Sequence, residues 1–140
     1  PIKYDPKKAR ELLAEAGYKD GGPVIDFYTA AGRYISDRQI AEVMAQMLGQ
    51  VGFKVNLHAP EWAGLWADIR TGKTPMFYMG RGLVLDPSEP LAQLFETGIT
   101  PRIGYSNPKL DALFAQERQT FDAKQRCALY REISQLLVDE

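Results

Sequence analysis

The residues best suited to chemistry in this 140-residue chain are Arg33, Tyr34, Trp62, Arg81 and Asp86, set beside Gly32, Gly80 and Gly82. A guanidinium offers a planar fork of donors to a carboxylate or phosphate, and an aromatic face covers an apolar body. Such a set is equipped to hold a polar or anionic ligand. Catalysis has far less to draw on. His58 is the single histidine, and no Ser, Cys or carboxylate stands near it in the sequence as a triad. GxGxxG, the Walker lysine motif, HExxH and cysteine pairs are all missing. One cysteine, Cys127, excludes an internal disulfide and a cysteine metal site. Its neighbours Leu129, Tyr130 and Ile133 suggest a helix, where a lone cysteine is expected as a small buried hydrophobe. No catalytic residue, metal ligand or cofactor is assigned.

Each candidate also has a plainer reading. Arg33 and Arg81 serve equally well as surface arginines. Trp62 and Trp66 lie four apart and share a helix face, which suits core for Trp66 and leaves Trp62 open between core and site. Asp86-Pro87 suits a helix start, and Gly80 and Gly82 need only mark unusual backbone angles.

The elements that must position these residues follow from periodicity. Asp5-Pro6 is a cap and first-turn proline for a helix carrying Ala9, Leu12, Leu13 and Ala16, with Gly17 as its stop. Lys19–Pro23 is a turn cluster, and Val24–Ala30 alternates as a strand. Ser36 or Asp37 caps a second helix with a broad stripe of Ile40, Val43, Met44, Met47, Leu48 and Val51, closed by Gly52. Phe53, Val55 and Leu57 alternate with Lys54, Asn56 and His58 as a half-buried strand. A third helix runs from about Glu61 to Arg70, followed by a strand at Met76–Met79 and a glycine-bearing loop. A helix around Pro90–Glu96 comes next, then one started by Asn107-Pro108. The last opens at Thr120 or Asp122, with Gln125 three residues after Asp122 as a capping-box partner.

An α-β-α-β-α-β order with short connections predicts an α/β fold, three-layered, with a largely parallel sheet, helices on both faces and a C-terminal helix pair. In a parallel sheet the carboxyl ends of the strands share one edge, where ligands bind. Three loops meet there: residues 31–35, residues 59–61 with Trp62 just after, and residues 80–87. The length suits one domain over residues 1–140.

Composition is ordinary for a globular protein, at 45% hydrophobic and 25% charged residues. A net charge of −1 without a basic stripe argues against nucleic acid or an anionic membrane surface as partner. No apolar run is long enough to span a bilayer, and no signal peptide is evident. Both ends look cut, so the chain is expected to be a domain of a longer polypeptide.

Five segments in register, YDPKKARELLAEAGY, GFKVNLHAPEWAGLWADIRTGK, MGRGLVLDPSEPLAQLF, GYSNPKLDALF and RCALYREISQLLVDE, resemble the extracytoplasmic solute-binding proteins of family 5. These are the dipeptide-, oligopeptide- and nickel-type receptors of ABC importers, and the likeness covers nearly the whole chain. The resemblance implies part of one lobe of a periplasmic-binding-protein-like fold, in a protein placed in the periplasm or tethered outside the membrane. It implies a small-molecule or peptide ligand, held in an inter-lobe cleft and passed to permease subunits, without enzymatic activity. Arg33 and Tyr34 match the loop where dipeptide receptors place an arginine for the ligand carboxylate. Peptide receptors commonly read Gly-Trp with an aspartate three residues beyond the Trp. Here Arg81 follows Gly80 and Val84 stands in the aspartate's place, with Asp86 two residues on. The departure leaves an anionic or sugar-like ligand open beside a peptide. A small α/β enzyme using the same crevice and a ligand-sensing receptor subunit are the alternative readings.

Overall fold

A computed structural model of the chain describes residues 3–18, 21–82 and 84–139. The expected turn residues Lys19 and Asp20, and Leu83 of the glycine-bearing loop, lie outside them. The chain groups into two compact units, one of Pro1–Ile69 with Lys73–Gly80, the other of Arg70–Gly72 with Arg81–Glu140.

The first unit is built on three parallel strands, β1 (Val24–Thr29), β2 (Lys54–His58) and β3 (Met76–Tyr78), in the order β2-β1-β3. The register pairs Phe27 with Leu57 and Tyr28 with both His58 and Phe77. The three helices are α1 (Pro6–Glu15), α2 (Asp37–Val51) and α3 (Trp62–Arg70). From β1 the chain steps outward to β2, then crosses back over β1 to reach β3. Two right-handed crossovers in opposite directions require α2 and α3 on opposite faces of the sheet. The packing agrees. Leu65 and Ile69 of α3 bury Ala30 and gather Tyr28 and Phe77 from one face, while Phe27, pointing the other way, is fully buried on the α2 side. Layers of α1 and α2, sheet, and α3 result.

Local sequence accounts for the ends of α1. Asp5 Oδ1 accepts the Lys8 N–H at 2.9 Å, and Pro6 sits in the first turn. At the other end Gly17 takes a φ of 95°, and the Tyr18 N–H reaches the Leu13 carbonyl at 2.9 Å, the Schellman arrangement. The broad stripe on α2 is only partly covered: Ala41 is buried, whereas Ile40, Val43 and Met47 remain exposed.

The second unit contains α4 (Ser88–Phe95), α5 (Pro108–Glu117) and α6 (Ala123–Asp139). Leu110, Leu113 and Phe114 of α5 interlock with Leu129 and Ile133 of α6, and Leu91, Ala92 and Phe95 of α4 pack against them. Asn107 caps α5 through the N–H groups of Lys109 and Leu110, and Asp122 receives the Gln125 N–H at 2.8 Å before α6. The expected burial of Cys127 is not found; its side is exposed. Two positions from Leu129 is about 200° around a helix, so Cys127 points away from the seam that Leu129 and Ile133 fill. Among the described residues no helix is long and apolar enough to cross a membrane.

Candidate functional site

Four of the seven sequence candidates come together at the carboxyl edge of the first unit's sheet. Arg33 places its guanidinium carbon 5.5 Å from the centre of the Tyr34 ring and 5.4 Å from that of Trp62, within cation–π range of both. The Tyr34 and Trp62 rings meet edge to face at 5.8 Å, and Trp62 stacks on Trp66 at 5.6 Å. Gly80, just beyond β3, closes the group: a Cβ there would stand 2.7 Å from Tyr34 Cδ1, so any larger residue would force the ring or the strand end to shift. Loops after β1, β2 and β3 therefore each contribute.

The loop carrying Arg33 and Tyr34 is shaped by Asp37, the first residue of α2. Its carboxylate accepts the N–H groups of Gly32 at 3.1 Å, Arg33 at 2.8 Å, Tyr34 at 2.9 Å and Arg38 at 2.8 Å. Ser36, in the left-handed region at φ 53°, makes no side-chain cap, so Asp37 is the residue that organises this helix start. The Tyr34 N–H above all, with those of Gly32, Arg38 and Arg33, holds the Asp37 carboxyl below its ordinary pKa against the opposing effect of burial. Asp37 is 2% exposed, yet fully partnered. Its acceptor capacity goes to the protein, and the Arg33 guanidinium is left facing outward among the rings.

His58 ends β2 on the same face. Its Nε2 lies 2.9 Å from Asp26 Oδ1, and its ring stacks on Tyr28 at 4.7 Å. Asn56 donates to the same Asp26 oxygen at 3.1 Å. The His58 hydrogen bond, then that from Asn56, lowers the Asp26 pKa. This pair is 32 residues apart in sequence, but both lie on one face of adjacent strands in parallel register. Among the described residues no group of three or more His, Cys, Asp or Glu side chains is placed to hold a metal ion.

Arg81, Gly82 and Asp86 belong to the second unit. Arg81 Nη2 donates to Gln93 Oε1 of α4 at 2.6 Å and lies 3.9 Å from Glu89. Asp86 accepts the Ser88 N–H at 2.9 Å, two bonds from Arg126 Nη2 at 3.1 and 3.0 Å, and one from the Tyr130 hydroxyl at 3.1 Å. Those bonds, the Ser88 N–H first, lower its pKa. Neither Arg126 nor Tyr130 stood out in the sequence. The available signal was an arginine and a tyrosine four apart on the apolar side of α6, which asks for a buried acid as partner.

Residues 1–101 match the family described as "Bacterial extracellular solute-binding proteins, family 5 Middle". The chain belongs to that family. It is 32% identical over 144 residues to the glutathione-binding protein GsiB of Pectobacterium atrosepticum, covering 94% of this chain and 27% of that one. To the nickel-binding periplasmic protein of Escherichia coli it is 29% identical over 155 residues, covering all of this chain and 30% of the relative. Among solved structures, the periplasmic binding protein DppA of Helicobacter pylori, in complex with the peptide STSA, superposes with a TM-score of 0.84 at 26% identity, covering 98% of this chain and 27% of that one. The chain thus spans under a third of the length of the family 5 relatives it matches. The α/β fold with a parallel sheet, expected from the order of elements, is the periplasmic-binding-protein fold of these neighbours.

Proposed function

We propose that this chain is part of one lobe of the substrate-binding component of an ABC importer. The observation that carries the reading is the meeting of Arg33, Tyr34, Trp62 and Gly80 at the carboxyl edge of a parallel sheet. That edge is where open α/β folds bind ligands. The guanidinium presents charge to a carboxylate, and the rings present apolar surface beside it. The ligand class that fits is a small polar solute with at least one carboxylate and some apolar body, such as a peptide or a peptide-like conjugate. Relatives named for glutathione and a neighbour holding a tetrapeptide support this class.

Arg81 and Gly82 follow Gly80 directly, Asp86 stands four residues beyond Gly82, and together they mark the segment that sets ligand identity in this reading. Arg81 in place of the tryptophan, and Val84 in place of the aspartate, remove the usual anchor for a peptide amine. A ligand held chiefly through its carboxylate is the consequence. The parent protein works outside the cytoplasmic membrane, closes two lobes over the solute, a hinge-type transition, and hands it to permease subunits. It performs no chemistry on the solute.

The test is mass spectrometry of small molecules that co-purify with the full-length protein, followed by calorimetric titration with glutathione and with the dipeptide Met-Leu. A carboxylate-bearing solute bound with a micromolar or tighter Kd supports the reading. Turnover of either solute, or saturable binding confined to cations, contradicts it.

A further inference from the structure

The loop that begins at Arg81 is tied down at its far end by a part-buried ionic network centred on the buried Glu117. Asp86 and Ser88 are joined to α5 and α6 through Glu117, Arg126 and Tyr130. Arg126 Nη2 donates to both Asp86 oxygens, and its Nε donates to Glu117 Oε1 at 2.8 Å. The Ser88 hydroxyl donates to Glu117 Oε2 at 2.9 Å, and the Tyr130 hydroxyl shares its one proton between Glu117 Oε1 at 2.7 Å and Asp86 Oδ1 at 3.1 Å. Glu117 is 2% exposed and is the last residue of α5. Burial raises its pKa, but the hydrogen bonds from Tyr130, Arg126 and Ser88 outweigh this and keep it ionised below its ordinary value. Burial first, then the bond to Glu117, pushes the Tyr130 hydroxyl up to about 12.

This is an unfavourable place for a carboxylate. The carboxyl end of a helix carries a partial negative charge, and a buried ion pair stabilises a fold no better than apolar side chains of the same volume. What such a network does supply is one defined geometry. The loop's near end is fixed too, because Arg81 is bonded to Gln93 of α4. Both ends of the loop between Gly80 and Asp86 are therefore anchored within one unit.

We propose that Arg126 and Glu117 are positioning residues for the ligand-binding loop, holding Asp86-Pro87-Ser88 on the α5–α6 pair so that the loop is preformed before ligand arrives. The proposal rests on the reading that this loop contacts ligand. If a fraction of the protein has the loop in place, the apparent affinity is the intrinsic one multiplied by that fraction. Loosening the latch then slows association and leaves dissociation unchanged, whereas loss of a direct ligand contact speeds dissociation.

The experiment compares the full-length protein with its Arg126→Met and Tyr130→Phe variants. Tyr130→Phe removes the hydroxyl that reaches Asp86 and Glu117 and keeps the ring in its seam, so it serves should Arg126→Met fail to fold. Hydrogen exchange is followed in the ligand-free proteins, and stopped-flow kinetics with glutathione as probe. The amides of Val84, Leu85, Asp86 and Ser88 should exchange at least tenfold faster in the variants, with those of Leu129 and Ile133 unchanged. Glutathione association should slow about tenfold at a dissociation rate within twofold of the parent's. Unchanged exchange at residues 84–88 overturns the proposal, as does a loss of affinity carried by faster dissociation. If the parent does not bind glutathione, the ligand reading fails separately, and the exchange measurement alone decides the latch.

Discussion

The backbone N–H of Arg33 donates to Asp37 Oδ2 at 2.8 Å, so the residue whose side chain offers the site a positive charge is itself fixed through its main chain by a carboxylate four positions on. The two functions are separated: Asp37 binds backbone, and the Arg33 guanidinium stays with the rings of Tyr34 and Trp62. A direct Arg33–Asp37 side-chain pair would neutralise the charge on which the proposed carboxylate site depends. Fixing the loop by its amides avoids that, and in the proposed function it reduces the ordering cost of binding.

Replacing Asp37 by alanine removes four acceptor contacts at once and leaves the N–H groups of Gly32, Arg33 and Tyr34 without a carboxylate. The full-length protein carrying Asp37→Ala should bind its solute at least tenfold more weakly, as measured by calorimetry, while Arg33 is untouched. Affinity equal to the parent's would show that the loop holds its form without Asp37.

The same carboxylate sets an acid limit. Its pKa in the folded state lies below the ordinary 3.8, so its contribution to stability is complete above that value and is lost as pH falls through the lower, folded pKa. Asp86 and Glu117 shift in the same direction. Thermal unfolding of the chain should change little between about pH 7 and 5 and fall steeply below about pH 4. In Asp37→Asn the acid limb should be visibly shallower. Parallel acid limbs for the two proteins would remove Asp37 from the account.

Gly80→Ala tests the close approach to Tyr34. With a Cβ 2.7 Å from Cδ1, the ring must move or the strand end must give. Overpacking of this kind costs about 1–3 kcal/mol. The expected result is a modest fall in stability by denaturant titration, together with a loss of affinity of about tenfold, or roughly 1.4 kcal/mol. A variant as stable and as tight-binding as the parent would place Tyr34 outside the site.

In the second unit, Phe114 is fully buried against Leu129 and Ile133. Phe114→Ala should destabilise the chain by about 3–5 kcal/mol in urea unfolding, the usual cost of deleting a buried ring. A change below about 1 kcal/mol would mean that the α5–α6 seam closes over the gap or contributes little.

Much of this architecture could be read from side-chain type and spacing. Alternation gave β1 and β2, the Asp5-Pro6 and Asn107-Pro108 pairs marked the starts of α1 and α5, and the α-β order implied parallel strands. From parallel strands alone it followed that the loops of Arg33, Trp62 and Gly80 share an edge. What escaped was of two kinds. Asp37 was legible as a candidate cap of α2, but its hold on the Gly32 and Arg33 amides was not, because nearly every residue has such an amide and no residue type in the loop advertises the partner. Asp26 with His58, and Glu117 with Arg126, are made by register and helix packing across 32 and 9 residues, distances at which periodicity is silent. Cys127 shows the converse: its type suggested burial, but its angle on α6 decided otherwise. The face an element presents is set by its whole pattern, and a single residue follows.

The most direct measurement is calorimetric titration of the full-length protein and its Arg33→Ala variant with a carboxylate-bearing solute, glutathione first, beside the same solute with its carboxylates esterified. Arg33→Ala should weaken binding of the free acid by more than tenfold, about 1.4 kcal/mol, and the ester should bind both proteins equally weakly. Equal affinity of the two proteins for the free acid would contradict this and take the anion site away from Arg33.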